Sequence, residues 1–430
     1  MSTLLHSRRG ALALGGASLA SLIAGGRAFA QALELTVFGH RVHQACATAG
    51  PGGDATEAFR KQANAAINWT TLGDNNAIAE RLLRELSLSS TSFDVAYLLN
   101  GRAVPKNLRL LEPLDAFQKE APIESIEDFA PGLMAPLKLD GALHGIPVRH
   151  ATNVILYNEA IFEEKGVKLP TSFEEVIDAA RKLTFKRDDG TQVYGLAFTP
   201  VFASNFLTFS RALGGDYMTI DRKIVAAEAP MVNTLKTFAD LFKAGAIPRN
   251  VATLSNEEVT TMMQQGRAAM TINPTARLVS YNNPQQSKYP GKLRAFVPPM
   301  AKELQGKTAY APTVEFWALT IPANSRNKRK AWDLVAALSS KAGTTAMALN
   351  GNGPTRISTY QDAKFRQMIP YADIEAAAVG AARIHLPAFD EQARAHDIFV
   401  EESQAAMLGM KPADQAMADA VKRVQPLVGA

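Results

Sequence analysis

The sequence predicts an α/β protein folded as two lobes with a crevice between them. Three observations carry this. Short apolar runs alternate with amphipathic helical stretches, the pattern of a sheet wrapped by helices. Strand, helix, strand, helix, strand follow one another over residues 33–99, which is a doubly wound unit with its crevice at the carboxyl ends of the strands. A chain of 430 residues is long enough for two or three such cores.

Composition narrows the function classes. Hydrophobic residues make up 47% and charged residues 20%, which excludes a wholly disordered chain. The net charge is +5, but Arg8, Arg9 and Arg27 lie in an acid-free leader. The rest has no dense basic stripe, so no nucleic-acid partner is expected. A single cysteine, Cys46, excludes an intramolecular disulfide, a four-cysteine zinc site and a CxxC redox pair.

In chain order, Arg8-Arg9 opens a charge-free stretch to Gly26, and Ala28-Phe29-Ala30 supplies small residues for cleavage. Residues 1–30 therefore read as a signal peptide, with the mature chain starting near Gln31. The paired arginines resemble a twin-arginine signal, while Ala11 in place of a bulky residue leaves the general secretory route open. No cysteine follows to carry a lipid, and no later run reaches the roughly 18 apolar residues of a membrane span. Residues 33–38, 67–72 and 93–99 read as strands, and 54–66 and 76–86 as helices, with Ile78, Leu82, Leu83 and Leu86 on one face. Residues 153–157 begin a second unit as a strand. Thr171 or Ser172 then caps a helix with Glu174 and Glu175 in its first turn. Helices follow at 232–244, 255–265 and 328–339, a polar loop between units at 282–292, and a helical tail from 391 to 424 broken at Gly409 and Pro412.

A search for catalytic apparatus finds no HExxH, Walker loop or GxSxG elbow, and Gly50-Pro51-Gly52-Gly53 reads as a flexible loop. Ser325-Arg326-Asn327-Lys328 fits the S-x-x-K pattern of an exported serine enzyme. Its S-D-N companion is missing, and Lys307-Thr308-Ala309 lacks the glycine of the other. The alternative is that Ser325 caps a helix. His40, His43 and Cys46 have helical spacing for a soft metal but no fourth ligand; the alternative is a polar loop at the crevice mouth.

One ordered set of segments spans almost the whole mature chain. Leu139-Asp140-Gly141 and Gly145-Ile146-Pro147 run through Leu156-Tyr157-Asn158 to Gly166-Val167 and Pro170-Thr171-Ser172-Phe173-Glu174-Glu175. Phe93-Asp94-Val95 and Leu111-Glu112-Pro113-Leu114-Asp115 precede it. Gly266-Arg267-Ala268-Ala269-Met270, Trp317-Ala318-Leu319-Thr320-Ile321-Pro322 and Pro354-Thr355-Arg356 follow. Together they resemble the extracellular solute-binding proteins of ABC importers, in the sugar-binding, maltose-binding-protein-like group. The resemblance implies the type II periplasmic-binding-protein fold: two lobes, each a mostly parallel sheet flanked by helices, joined by hinge strands. It implies discontinuous lobes, taken as 31–147 and 298–317 for the first and 148–297 and 318–430 for the second, with crossings near 147–149, 295–298 and 317–320. The implied function is that of a periplasmic, monomeric receptor without catalysis, cofactor or metal. It would capture a carbohydrate or polyol, an acidic sugar among the candidates, by hinge closure and deliver it to a membrane permease.

Carried over by position, the ligand-binding candidates are His40 and Arg41 after the first strand, and Asn100 and Arg102 after the third. Arg149 and His150 follow Gly145-Ile146-Pro147, where relatives carry acids. Asn273 and Thr275 stand where relatives often carry a tryptophan platform. Phe202, Phe206, Phe316 or Trp317 could replace that platform, and Arg356 completes the set. For Arg102 and Arg356 the alternative is pairing with surface acids, and for Phe202 and Phe206 it is core packing. Several arginines in one cleft would favour an anion, although arginine also binds sugar hydroxyls.

Overall fold

A computed structural model describes residues 33–199 and 202–429; the leader expected at 1–30 lies outside the described residues. In the first lobe β1 (Leu33–His40) runs parallel between β2 (Ala65–Leu72) and β3 (Val95–Leu99). The short hairpin β4 (Lys138–Leu139) and β5 (Ala142–Leu143) leads into β6 (Ile146–Asn158). The second lobe holds β7 (Phe185–Lys186), β8 (Gln192–Leu196), β9 (Ala268–Pro274) and β10 (Leu293–Phe296), and β11 (Val314–Thr320) returns to the first. Nine strands form one continuous sheet in the order β2-β1-β3-β11-β6-β9-β8-β7, with β10 also on β6. Pairing is parallel for β1–β2, β1–β3 and β8–β9, and antiparallel where β6 and β11 join the lobes. The α/β two-lobed expectation holds.

Alternation along β6 shows how one strand serves both lobes. Ile146 and Val148 pack in the first-lobe core. Farther along, Ile155 and Tyr157 face one core of the second lobe and Val154 and Leu156 face another. The cores divide the chain differently from the sequence expectation. Residues 314–369, including the helix Lys328–Ser339, belong to the first-lobe core through Phe316, Leu319, Trp332, Leu338 and Tyr360, and the segment after them touches both lobes, Val379 packing in the first and Ala378 in the second. Residues 298–313 pack on the second lobe, where Ala301 N donates to Ala212 O at 2.8 Å and the Tyr310 hydroxyl to Thr208 O at 3.0 Å. The C-terminal helices Gln392–Met407 and Ala413–Val428 also complete the second lobe.

The crossings move accordingly. They lie at residues 151–153 of β6, at 312–314 entering β11, and at 383–385. Trp317–Thr320 pair with β3 inside the first lobe, and β10 pairs with Ile155–Asn158 inside the second. The three crossings bond one another: Asn153 N donates to Thr313 O at 3.0 Å and Arg383 N to Pro312 O at 2.9 Å. Two loops also differ from expectation. Residues 41–48 form a helix that His40 caps, and 282–292 closes within the second lobe, where the Asn282 carboxamide bonds Gly291 N and Leu293 N. Gly52 packs so closely that a Cβ there would lie 2.0 Å from Ala346 O, so this loop is held by the fold.

Two buried polar knots set the frame. The Asp94 carboxylate accepts from Thr36 N at 2.9 Å, from the Ser325 hydroxyl at 2.8 Å and from the Asn327 carboxamide at 3.1 Å, tying β1 and β3 to the segment before the helix Lys328–Ser339. Ser325 accepts from Asn327 N, while Lys328 bonds Glu112 at 2.7 Å, so the S-x-x-K residues hold structure. The second knot is Arg211, on the helix Phe202–Ala212. Its guanidinium bonds Asp216 at 2.9 Å and donates to the carbonyls of Ala311, Arg383, Ile384 and His385 at 2.9–3.4 Å, clamping two crossings at once. Arg383 also bonds Asp216. Arg211→Met leaves those carbonyls without their buried donor and should cost about 3–5 kcal/mol in urea unfolding. Arg211→Lys should recover little of this, because one ammonium cannot reach both crossings.

Candidate interlobe binding cleft

A cleft of about 850 Å³ opens between the lobes against the crossings. Its polar walls come from chain segments just past the strands, as doubly wound topology dictates. Asn76 follows β2, Asn100 and Arg102 follow β3, Thr199 and Asn205 follow β8, and Arg277 follows β9. Capping sets several of these entries: Asp74 accepts from Ala77 N at 2.8 Å beside Asn76, and Ser255 with Glu258 forms a capping box beside Asn256. The crossings add Arg149, His150, Asn153, Glu315 and His385. Glu375 comes from the helix Ala372–Ala381 and His396 and Asp397 from the helix Gln392–Met407.

Amides dominate this wall, and internal bonds orient several of them. The Asn153 carboxamide donates to Asn205 at 3.3 Å and to the Thr313 hydroxyl at 3.2 Å, Asn205 to the Thr199 hydroxyl at 3.1 Å, and Asn273 to the Tyr281 hydroxyl at 3.1 Å. Asn100 Oδ1 accepts from Phe316 N at 3.1 Å, leaving Nδ2 buried without a partner. Gln392 Nε2 donates to Leu386 O at 2.8 Å, leaving Oε1 likewise. An unmet buried polar atom costs about 1–3 kcal/mol. Arg102, Arg149 and Arg277 share the lining with Glu315, Glu375 and Asp397. No Phe, Tyr or Trp ring lines the cleft among the described residues.

Of the sequence candidates, Asn100, Arg102, Arg149, His150 and Asn273 line this cleft. His40 and Arg41 do not. His40 Nδ1 accepts from Val42 N, its Nε2 donates to Gly73 O at 3.0 Å, and Arg41 lies exposed at the start of the helix. Thr275 is buried behind the wall beside Glu375. Trp317 is core, its ring 4.7 Å from His43, which itself stacks on Tyr97. Phe316 is fully buried in the first-lobe core, and Phe206 is buried against Phe238 in the second. Phe202 opens its helix, and its side chain lies outside the described residues.

Arg356 is the largest departure from expectation. It is wholly buried, donates to the carbonyls of Ser339, Ser125 and Glu124 at 2.8 Å each, pairs with Asp128 and lies over Phe129, so it cannot touch a cleft ligand. The metal alternative fails on similar grounds. His43 Nδ1 accepts from His40 N, Cys46 donates to Asn350 O at 3.6 Å, and no group of three or more potential ligands occurs among the described residues. The cleft residues missed by sequence were Asn76, Asn153, Asn205, Asn256, Arg277, Glu315, Glu375, His385, Gln392 and His396. Only the strand-end rule pointed toward Asn76, Asn205 and Arg277.

Burial governs the titrations here. His150 Nε2 donates to the Tyr360 hydroxyl at 2.7 Å and its Nδ1 meets the Thr152 hydroxyl at 3.0 Å. Burial, helped by Arg149, pushes its pKa down to about 3. Glu375, 3.6 Å from His150, is pushed by burial up to about 7 against the opposing pull of Thr275 and Arg149. Burial also raises Glu315 and lowers His385 and His396, whose rings meet edge to face at 4.6 Å. His150 thus makes stability rise with pH from about 3 to its ordinary 6.5. Glu375 makes it fall from its ordinary 4.5 to about 7. Glu375→Gln removes the falling arm. Urea unfolding across pH should show variant stability gaining on the parent by about 1.4 kcal/mol per pH unit between those two values, then levelling.

Comparison with known proteins places the chain. Residues 52–368 match the family model described as bacterial extracellular solute-binding protein. A probable amino-acid ABC transporter periplasmic-binding protein of Sinorhizobium fredii is 23% identical over 417 residues, 93% of each chain. Among solved structures, a solute-binding protein of Agrobacterium radiobacter K84 in complex with ribitol superposes with a TM-score of 0.74 at 19% identity, covering 92% of this chain and 98% of that one. Maltose-bound MalE3 of T. maritima gives 0.74 at 21%, covering 92% and 100%. No helix among the described residues is long and apolar enough to cross a membrane. This chain is a binding protein, not an enzyme, and belongs to the bacterial extracellular solute-binding protein family.

Proposed function

We propose that the chain captures a small, uncharged, polyhydroxylated solute, a sugar or a polyol, in the interlobe cleft. Closure about the three crossings would enclose it, and the closed monomer would deliver it to an ABC permease after export and cleavage near Ala30. The observation that carries this reading is the wall itself, where carboxamides outnumber any single class of charged group. Each carboxamide offers both a donor and an acceptor, as each hydroxyl does, so the two sets match without net charge. The ribitol and maltose complexes of structurally similar proteins support the same ligand class. In this reading Asn100, Arg102, Arg149, Asn205, Asn273 and Arg277 hold hydroxyls, and His150 and Thr275 fix the wall behind them.

The amino-acid description of the Sinorhizobium relative makes zwitterions the competing class. A thermal-shift screen of the chain from Gln31 onward separates the classes. A ligand at a hundred times its Kd adds about 2.7 kcal/mol, a rise of about 3 °C for a chain of this length. Neutral sugars or polyols should raise Tm, and Arg149→Met should weaken that response. A rise with amino acids or sugar acids alone would overturn the neutral-solute reading, and no rise with any of these would overturn the carbohydrate one.

A further inference from the structure

Resting on the sugar-or-polyol reading, we infer that Glu315 grips the solute at the base of the cleft, its carboxylate accepting from two of the solute's hydroxyls. Glu315 stands in β11, which lies between β3 and β6 in the middle of the sheet. Val314 and Phe316 on either side of it are buried, whereas Glu315 is exposed and lines the cleft. Across the ladder it pairs with Ala151, whose methyl is too short to cover it. Arg149 lies two positions before Ala151 and Asn153 two positions after, on the same face of β6, and all three line the cleft.

This carboxyl ties nothing together. Asp94 and Asp216, the carboxylates of the two buried knots, each bond several neighbours. Among the described residues no donor bonds Glu315 and no cation pairs with it; Arg149 acts on it through its charge alone. The Arg149 Nη1 is engaged elsewhere, with Asn352 at 3.2 Å and Cys46 at 3.7 Å. The surrounding walls nevertheless strip enough water from Glu315 to hold its carboxyl above the usual range. A charge kept in the middle of a sheet without a partner costs stability, so its use lies in what enters the cleft.

The chemistry of that partner follows. An ionised carboxylate only accepts, through two oxygens side by side. A carboxylate or phosphate on the solute would meet it acceptor against acceptor. An ammonium would bring a second cation beside Arg149, whose charge already acts on Glu315. Two hydroxyls on adjacent carbons present one donor to each oxygen and add no charge, and bonds to an ionised acceptor are the stronger kind.

Calorimetry on the chain from Gln31 should use ribitol, mannitol, glucose and maltose as probes, with alanine and glutamine beside them. Glu315→Gln keeps the shape and turns one accepting oxygen into a donor. It should weaken the tightest of the four polyhydroxylated probes by about tenfold or more. Without solute, its Tm should not fall below the parent's, because the carboxylate it replaces has no bond to lose. Glu315→Asp, which withdraws the charge by one methylene, should weaken the same probe and serves if the glutamine variant does not fold. A smaller loss in the folded variant, or a loss that comes only with a lowered Tm, would overturn the grip while leaving the sugar-or-polyol reading intact. If the parent binds none of the four, whether or not it binds alanine or glutamine, the reading and the inference both fall.

Discussion

A single guanidinium holds together two of the three crossings between the lobes. Arg211 lies in the second lobe, yet its bonds end on the carbonyls of residues 311 and 383–385, where the chain passes from lobe to lobe. Those carbonyls have lost their water, so they need a donor, and only a fork of several N–H groups can serve strands that arrive from different directions. Burial depresses the Arg211 pKa to about 9, which still leaves it charged at neutral pH and bound to Asp216. With the crossings so gathered, β6 runs continuously through both halves, paired with β11 in the first and with β9 in the second.

The cleft shows a consistent division of labour between its floor and its rims. The floor is desolvated: His150 is held neutral, Glu375 is pushed toward its protonated form, and Thr275 and Tyr360 complete their bonding. The rims carry Arg102, Arg149 and Arg277, which remain partly exposed. Arg149 joins the two, reaching Asn352 at 3.2 Å and Cys46 at 3.7 Å while its charge acts on His43, His150 and Glu375.

Much of this was legible before any coordinates. Alternating apolar runs located β1, β2 and β3, and the cap residues located the helices Phe173–Lys182 and Asn256–Gln264. Asn100, Arg102 and Asn273 were named by position from the family resemblance, and all three line the cleft. Arg356 misled for a physical reason: an arginine beside Pro354-Thr355 reads as a surface cation, and nothing local reveals three carbonyls from residues 124, 125 and 339 gathered around it. For His40, His43 and Cys46 the spacing left a soft-metal site and a polar loop as the two readings, and the structure instead shows a cap followed by the buried face of a short helix.

The sequence by itself determined the α/β class, the two-lobed plan and the absence of disulfide chemistry, because periodicity, capping and residue counts are local properties. Tertiary structure alone decided which segments belong to which lobe, where the three crossings fall and which amides meet across the cleft. Those outcomes depend on contacts between residues far apart in the chain, such as Asn100 with Phe316 or Arg211 with His385. Whether a polar atom ends up satisfied or orphaned is set by the last neighbour to arrive, and no window along the chain contains that neighbour.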